Sequence, residues 1–336
     1  MPELRLDPLS GLRTIVAGER AERPGGLFAV GPRPPVDPDG DPFLEGHEDR
    51  TPPELHALRP GGGDPDTPGW LVRVVPNLYP ALASGDAATP PEDPLAAGRE
   101  QPALFTARPA TGAHEVIVNS PRPAASLAEL DAEQLATAMG VWRERMRAHA
   151  EAAEYVHVIV NEGREAGASL PHTHAQLYAL GFVPAAVARE RERFTAWHER
   201  TQGRNLLEDL VQEEVRLRER LIAVDAEAVA ICPYAARVPF QVQLVPRRPR
   251  ARFEDDGPVA AGLLLEVLRR LEAVLGGVPP FNLWVRTAPR GADSFCWRID
   301  LLPRLAQPAG LEIGAGVNLN VVPPERAAQQ LRDAAV

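Results

Sequence analysis

The segment from Asn161 to Leu180, which reads NEGREAGASLPHTHAQLYAL, constrains the fold more than any other stretch of the chain. One apolar run precedes it and another follows its second histidine, so we predict two strands joined by a tight loop of small residues. If the second strand begins near His172, the alternation of a β-strand places His172, His174 and Gln176 on one face. Two imidazoles and a carboxamide would then converge on one point.

The predicted loop contains Gly163, Gly167 and Ser169. We expect its backbone N–H groups to be free, and successive free N–H groups form a concave site that binds anions. The sequence therefore predicts a phosphate site beside the two histidines.

Composition limits the class of protein and its partners. With 336 residues and 44% hydrophobic content, the chain can bury a core as one large domain or two moderate ones. A formal net charge of −10 argues against nucleic acid as a partner, although local arginines could still hold a small anion. Two cysteines, with no signal peptide or long apolar span, predict a cytoplasmic protein without membrane attachment.

Each half of the chain shows the same order of predicted strands, one long helix and further strands. The first long helix should run from an N-cap at Ser126 to about Ala153, and the second from Val259 to Leu275. A late strand is predicted over Leu311 to Val321. This order predicts an α+β fold of two related halves, residues 1–190 and 191–336.

Several segments occur in an order that is typical of one family. They read DPLSG with RAERP, then TPPE, VRVVPNLYPAL, HEVIVNSP, AGASLPHTHAQ, GLEIGAGVNLN and PPERAA. In these segments the chain resembles the galactose-1-phosphate uridylyltransferase family, the transferase branch of the histidine-triad superfamily. The resemblance implies a tandem of two histidine-triad-like halves, each an antiparallel sheet with packed helices. It also implies a homodimer that binds a nucleotide sugar and a hexose 1-phosphate.

The resemblance also implies a covalent route, which divides one difficult displacement into two easier ones. It assigns His174 as the nucleophile toward the α-phosphate, oriented by the backbone carbonyl of His172. Gln176 stands where hydrolytic members of the superfamily have a third histidine. A carboxamide can donate a hydrogen bond to a phosphate oxygen but cannot act as a general acid, which favours transfer over hydrolysis.

Further site residues follow from the same resemblance. Arg20 and Arg23 would hold phosphate, although two arginines in this pattern also fit a solvated face. Ser169 would donate to the nucleotide phosphates. The remaining predicted contacts are Asn77, Asn161 and Gly167 for the nucleotide, and Glu312 and Asn318 for the hexose. Asn77 and Asn161 are equally compatible with closing turns.

Many members of the family hold a structural zinc ion, and the residues for it are missing here. The positions of its cysteine pair are Asp41 and Leu44, a histidine position is Pro123, and only His172 remains. Leucine and proline side chains cannot ligate zinc. His47 lies nearby without an evident set of partners, and Glu190 matches the glutamate of a second metal site whose late histidines are absent. We expect no bound metal or other cofactor.

Three functions remain compatible with the sequence. The first is a UDP-glucose:hexose-1-phosphate uridylyltransferase of galactose metabolism, which we favour at this point. The second is an ADP-sugar or dinucleotide phosphorylase, in which phosphate attacks the nucleotidyl histidine. The third is a nucleotide-binding protein without catalytic activity. The base cannot be read from the sequence, and the intact His174, Gln176 and Ser169 argue against the third function.

Overall fold

The computed structural model describes residues 1–22, 30–31, 33–87, 90–91, 93 and 104–336. Arg23 and much of the proline-rich stretch before residue 104 lie outside this part of the chain.

Eleven strands of the described residues form one large sheet with the order β3-β4-β6-β8-β7-β12-β13-β11-β10-β9, and β5 adds alongside β6. All neighbours in this order are antiparallel, whereas β5 pairs with β6 in parallel. The strands are β3 (His56–Leu58), β4 (Val72–Pro76), β5 (Ala83–Ser84), β6 (Thr111–Val118), β7 (Tyr155–Glu162), β8 (His174–Leu180), β9 (Leu221–Val224), β10 (Ala228–Ile231), β11 (Val242–Pro246), β12 (Phe281–Arg286) and β13 (Arg298–Pro303).

The two halves of the chain share this sheet, because β7 of the first half pairs with β12 of the second. Val160 lies opposite Leu283 in that pairing. The α+β class predicted from the sequence is confirmed, but the prediction of one separate sheet for each half is wrong. An unpaired edge at β7 would leave backbone N–H and C=O groups without partners, and β12 supplies them. The predicted boundary at residue 190 falls inside a helix, Ala185–Arg200.

The two long helices pack against each other and contribute to one apolar core with the sheet. Ser126 does not begin the first of them. Its hydroxyl accepts from the Ala128 N–H at a short 3-10 turn, and Asp131 is the N-cap of the α-helix that follows. None of the described helices is long and apolar enough to cross a membrane. The helices are α1 (Ala132–Ala150), α2 (Ala185–Arg200), α3 (Leu206–Leu217), α4 (Ala261–Leu275), α5 (Gly310–Ala315) and α6 (Pro324–Asp333).

A small second sheet brings the two ends of the chain together. Its order is β1 (Glu3–Leu6), β2 (Arg13–Val16) and β14 (Val317–Asn320). The long strand predicted over Leu311 to Val321 is wrong, because α5 precedes β14 there. The Glu312 carboxylate accepts from the Ala309 N–H over 2.9 Å and closes the first turn of α5. Gly316 then ends that helix with a φ of 65°, a left-handed conformation that glycine adopts without steric cost.

Candidate active site

Strand β8 presents three polar side chains on one face of the large sheet. Ala175, Leu177 and Ala179 point to the opposite face and are buried in the main core. Successive residues of a strand alternate between faces, so His174, Gln176 and Tyr178 lie together on the other side. This face is the candidate site.

The His174 side chain is held in one orientation. Its Nδ1 lies 2.7 Å from the backbone carbonyl oxygen of His172, which can only accept, so Nδ1 carries the proton. Nε2 is then the unprotonated nitrogen, and no hydrogen bond of the described residues uses it. Burial lowers the pKa of His174, and the hydrogen bond to His172 opposes that shift in part. The ring of Phe43 packs beside it at a centroid distance of 5.1 Å.

The His172 ring lies just before β8 and makes hydrogen bonds of its own. Strand β8 begins only at His174, because the Thr173 N–H turns away to donate to the Ala124 carbonyl at 2.7 Å. His172 is fully buried, with Nδ1 2.6 Å from Asp41 Oδ2 and Nε2 2.9 Å from the Ser120 carbonyl oxygen. Its backbone carbonyl is the group that contacts His174.

The residues at the family's zinc positions do not fit a metal ion. Leu44 and Pro123 have no donor atom, and both ring nitrogens of His172 already have hydrogen-bond partners. His47 Nδ1 lies 2.7 Å from the Asp41 carbonyl oxygen, so it does not complete a ligand set. Within the described ranges, no three His, Cys, Asp or Glu side chains form a group that could hold a metal ion.

The second family metal position is filled by an ion-pair cluster. Both carboxylate oxygens of Glu190 lie 3.0 Å from guanidinium nitrogens of Arg298, and Arg286 approaches at 3.5 Å. Arg298 also pairs with Asp300 at 2.9 Å. A buried glutamate neutralised by arginine has no free charge to offer a cation.

Glu162, at the end of β7, supports the histidine segment and was not predicted from the sequence. It is 2% exposed, and its carboxylate accepts from the Thr173 hydroxyl at 2.9 Å and the Ser126 hydroxyl at 2.6 Å. Arg33 pairs with it at 3.0 Å. Burial raises the pKa of Glu162, against the charge of Arg33. The available signal was an acidic residue two positions after Val160, where the apolar run of β7 ends.

Gln176 is bonded through its carboxamide oxygen. That oxygen lies 3.0 Å from His114 Nε2 and 3.0 Å from the Tyr178 hydroxyl. The predicted nucleotide residue Asn77 lies in the same cluster, with Nδ2 3.1 Å from His114 Nε2. Its oxygen accepts from the Tyr79 N–H at 2.8 Å, so the turn-closing alternative describes part of what Asn77 does.

The loop between β7 and β8 is less open than predicted. The Gly167 N–H donates to the Arg164 carbonyl at 3.0 Å, and the Ala168 N–H donates to the Gly163 carbonyl at 3.1 Å. The prediction of a free N–H at Gly167 is therefore wrong, because a 3-10 turn consumes it. Ser169 is exposed, and no hydrogen bond of the described residues uses its hydroxyl or its backbone N–H.

The remaining predicted residues of the described chain fall into two groups: Asn161 lies on β7, the neighbour of β8, and the others lie in or beside the small sheet. Asn161 accepts from Asn282 of β12 at 2.8 Å, across the junction of the two halves, and Asn282 was not predicted. Three of the predicted residues, Arg20, Glu312 and Asn318, belong to the small sheet and its flanking turns. Arg20 is exposed and Glu312 is half-buried. Asn318 lies opposite Thr14 in β2. No hydrogen bond of the described residues joins these three side chains to His174.

Comparison with known proteins gives the family that the sequence motifs indicated. Residues 71–184 match the model of the galactose-1-phosphate uridyl transferase N-terminal domain. The chain is 30% identical to an ADP-glucose phosphorylase of Arabidopsis thaliana over 347 aligned residues, which cover 99% of this chain and 93% of that one. It is 31% identical to a galactose-1-phosphate uridylyltransferase of Streptomyces lividans over 292 residues, which cover 80% and 75%.

The fold agrees over the full length with a solved structure. The crystal structure of the Arabidopsis thaliana ADP-glucose phosphorylase with bound ADP-glucose superposes with a TM-score of 0.79. It shares 27% sequence identity and covers 100% of both chains.

Proposed function

Because the chain belongs to the galactose-1-phosphate uridylyltransferase family, we propose that it transfers a nucleoside monophosphate group from a nucleotide sugar by way of a covalent intermediate on His174. The observation that carries this proposal is the 2.7 Å hydrogen bond from His174 Nδ1 to the carbonyl oxygen of His172. It leaves the lone pair on Nε2, and the lowered pKa of the buried ring keeps that nitrogen unprotonated at neutral pH.

In the first half-reaction, Nε2 of His174 attacks the α-phosphorus of the nucleotide sugar. The bond between that phosphorus and the oxygen bridging to the β-phosphate breaks, and the sugar 1-phosphate leaves with the electron pair. In the second half-reaction an acceptor phosphate oxygen attacks the same phosphorus and the P–N bond breaks, which restores His174. This order predicts ping-pong kinetics.

Gln176 and Ser169 would contact the phosphate oxygens during both steps. The amide nitrogen of Gln176 is a donor without a partner in the described structure, and so is the exposed hydroxyl of Ser169. Negative charge that develops on the phosphate oxygens would be stabilised by such donors. Gln176 cannot supply a proton to a leaving group, so it cannot act as a general acid that assists hydrolysis by water.

We propose inorganic phosphate as the acceptor and an ADP-sugar as the donor, which makes the protein an ADP-sugar phosphorylase. What supports this choice is the match to the ADP-glucose phosphorylase across nearly the whole of both chains, in sequence and in fold. This proposal replaces our sequence-based preference for a uridylyltransferase. Uridylyl transfer to hexose 1-phosphate remains the second candidate, because the Streptomyces lividans relative is equally similar over a shorter alignment.

We further propose that the protein works without a bound metal and as a homodimer. Family members hold metals at two positions. At the first of these, Asp41 hydrogen-bonds to His172 in this chain, and at the second Arg298 brings positive charge to Glu190. The homodimer rests on the family resemblance, and sedimentation equilibrium at several protein concentrations would test it.

The proposed reaction is tested by supplying donors and acceptors in combination. Purified protein is incubated with ADP-glucose or UDP-glucose, each with inorganic phosphate or galactose 1-phosphate, and the nucleotide products are separated by chromatography. The proposal predicts ADP from ADP-glucose and phosphate as the fastest product. UDP-galactose as the fastest product would favour the uridylyltransferase, and no turnover in any combination would contradict both.

A further inference from the structure

A series of hydrogen bonds ends on the carboxamide oxygen of Gln176. The Ala81 backbone N–H donates to His114 Nδ1 over 3.0 Å. His114 Nε2 and the Tyr178 hydroxyl each lie 3.0 Å from Gln176 Oε1.

The Ala81 N–H fixes which atoms donate and which accept in this series of hydrogen bonds. A backbone N–H can only donate, so His114 Nδ1 accepts and the neutral ring carries its proton on Nε2. Burial lowers the pKa of His114, which favours the neutral ring, although the hydrogen bond with Gln176 opposes that shift. Nε2–H therefore donates to Gln176 Oε1. Nδ2 of Asn77, 3.1 Å from the same Nε2, is itself a donor and cannot take that proton.

The sheet holds the two donors in place. His114 of β6 lies directly opposite Tyr178 of β8, and their rings stack with centroids 4.1 Å apart and planes at 24°. Gln176 precedes Tyr178 by two residues on the same face. Rotating the Gln176 amide by half a turn would place its NH₂ group against the Nε2–H of His114, which can only donate. The amide nitrogen is thus directed away from His114, and it has no hydrogen-bond partner among the described residues.

We propose that His114 and Tyr178 are positioning residues that orient Gln176 so that its amide nitrogen donates to the α-phosphate of the nucleotide sugar. This inference rests on the proposed function. Neither residue needs to touch the substrate, because each acts through the carboxamide oxygen. A freely rotating glutamine would present its oxygen to the phosphate part of the time, and two acceptors repel each other.

A double-mutant cycle on Tyr178 and Gln176 tests the proposal. The rate of nucleotidyl adduct formation in a single turnover is measured by intact mass for wild type, Tyr178→Phe, Gln176→Ala and the double variant, with ADP-glucose or UDP-glucose as donor. Tyr178→Phe keeps the ring and its stacking on His114 while removing only the hydroxyl. Tyr155→Phe is the matched control, since the Tyr155 hydroxyl on neighbouring β7 faces His157 at 3.5 Å and does not contact Gln176.

We expect Tyr178→Phe to slow adduct formation about fivefold, the scale of one neutral hydrogen bond. It should have no further effect in the Gln176→Ala background, and Tyr155→Phe should leave the rate unchanged. His114→Ala, which removes the other donor, should behave in the same way and serves as a second variant if Tyr178→Phe is unstable. Equal slowing in both backgrounds, or no slowing at all, would overturn the positioning role alone. Absence of any adduct on the wild type would instead overturn the proposed function and this inference with it.

Discussion

Asp41 places a carboxylate oxygen 2.6 Å from Nδ1 of His172, and neither side chain is exposed by more than 4%. The other ring nitrogen of His172 faces the Ser120 carbonyl, so the ring is held at both ends. The backbone carbonyl of the same residue accepts from His174. Asp41 therefore supports the geometry of the candidate nucleophile through one intervening residue.

Replacing Asp41 with Ala should lower the free energy of unfolding by about 3 kcal/mol, because it leaves a buried polar ring without its partner. The measurement is denaturant unfolding followed by circular dichroism. Asp39→Ala is the control, since Asp39 lies two residues away on the exposed part of the same turn. A change of less than about 0.5 kcal/mol, the usual range for surface substitutions, would show that the Asp41–His172 contact contributes little.

Protein purified without chelator should contain well under one zinc or iron ion per chain by elemental analysis. Leu44 and Pro123 offer no ligand atoms, and Glu190 is already paired with arginine. Prolonged dialysis against EDTA should leave the melting temperature and the turnover rate unchanged. Stoichiometric zinc, or loss of stability on dialysis, would reveal a metal site built from other residues.

Gly163 and Gly167 form a matched pair for testing the loop between β7 and β8. Their φ angles are 83° and 87°, in the left-handed region where an added Cβ is strained. A Cβ at Gly163 would lie 2.8 Å from Pro280 Cβ, whereas a Cβ at Gly167 meets nothing within 4 Å. Gly167→Ala should therefore cost about 1 kcal/mol of stability through its backbone alone.

The Gly163→Ala variant should be clearly less stable than Gly167→Ala, because Pro280 must also move. Thermal unfolding of both variants under the same conditions makes the comparison. Equal melting temperatures would mean that the loop relaxes without disturbing Pro280 and the adjoining strand β12.

Acid should destabilise the fold partly through His157. Burial, with the charge of Arg286, lowers the pKa of His157 to about 3. In the unfolded chain this group has a pKa of about 6.5, so between these values the unfolded state binds a proton that the native state does not. Stability then falls as the pH drops below about 6.5, by up to about 1.4 kcal/mol per pH unit for one such group.

His157→Gln should make the free energy of unfolding less dependent on pH between 4 and 6 than it is in the wild type. Denaturant unfolding at several pH values measures the slope. His198→Gln, at an exposed position on α2, is the control and should leave the slope unchanged. A slope in the His157 variant identical to that of the wild type would contradict the contribution of His157 to the pH dependence of stability.

The sequence predicted the local elements of the fold well, and it missed how they join. Strong alternation predicted a strand beginning near His172, and β8 begins two residues later, at His174. The pairing of β7 with β12 could not be read from the chain, because it joins residues more than 100 positions apart. The sequence predicts strand where the short α5 lies, because the capping contact of Glu312 depends on backbone geometry.

Residue chemistry predicts candidate side chains for the site, but it does not predict their surroundings. The HTHAQ pattern predicts His174 and Gln176 as candidates, whereas the partners of the buried His172 ring, Asp41 and Ser120, lie far from it in the chain. Glu162 and His114 act through side-chain contacts to Thr173 and Gln176, and those contacts arise only when strands are aligned in register. Spacing along one segment cannot predict such cross-strand partners.

Gln176→Ala should slow nucleotidyl transfer by about a hundredfold, the loss expected when one donor to a transition-state oxygen is removed. Stopped assays with the preferred nucleotide sugar measure this rate. The intermediate should still form, only more slowly, because His174 is intact. A rate within about twofold of the wild type would show that the Gln176 amide does not contact the reacting phosphate.

The most direct test of the account is the intact mass of the protein after brief exposure to a nucleotide sugar without any acceptor. The wild type should gain the mass of one nucleoside monophosphate group, and adding inorganic phosphate or sugar 1-phosphate should remove it. His174→Gly, folded as judged by circular dichroism, should gain nothing and should not turn over. A His174→Gly protein that still forms the adduct, or that turns over at the wild-type rate, would contradict the proposed mechanism.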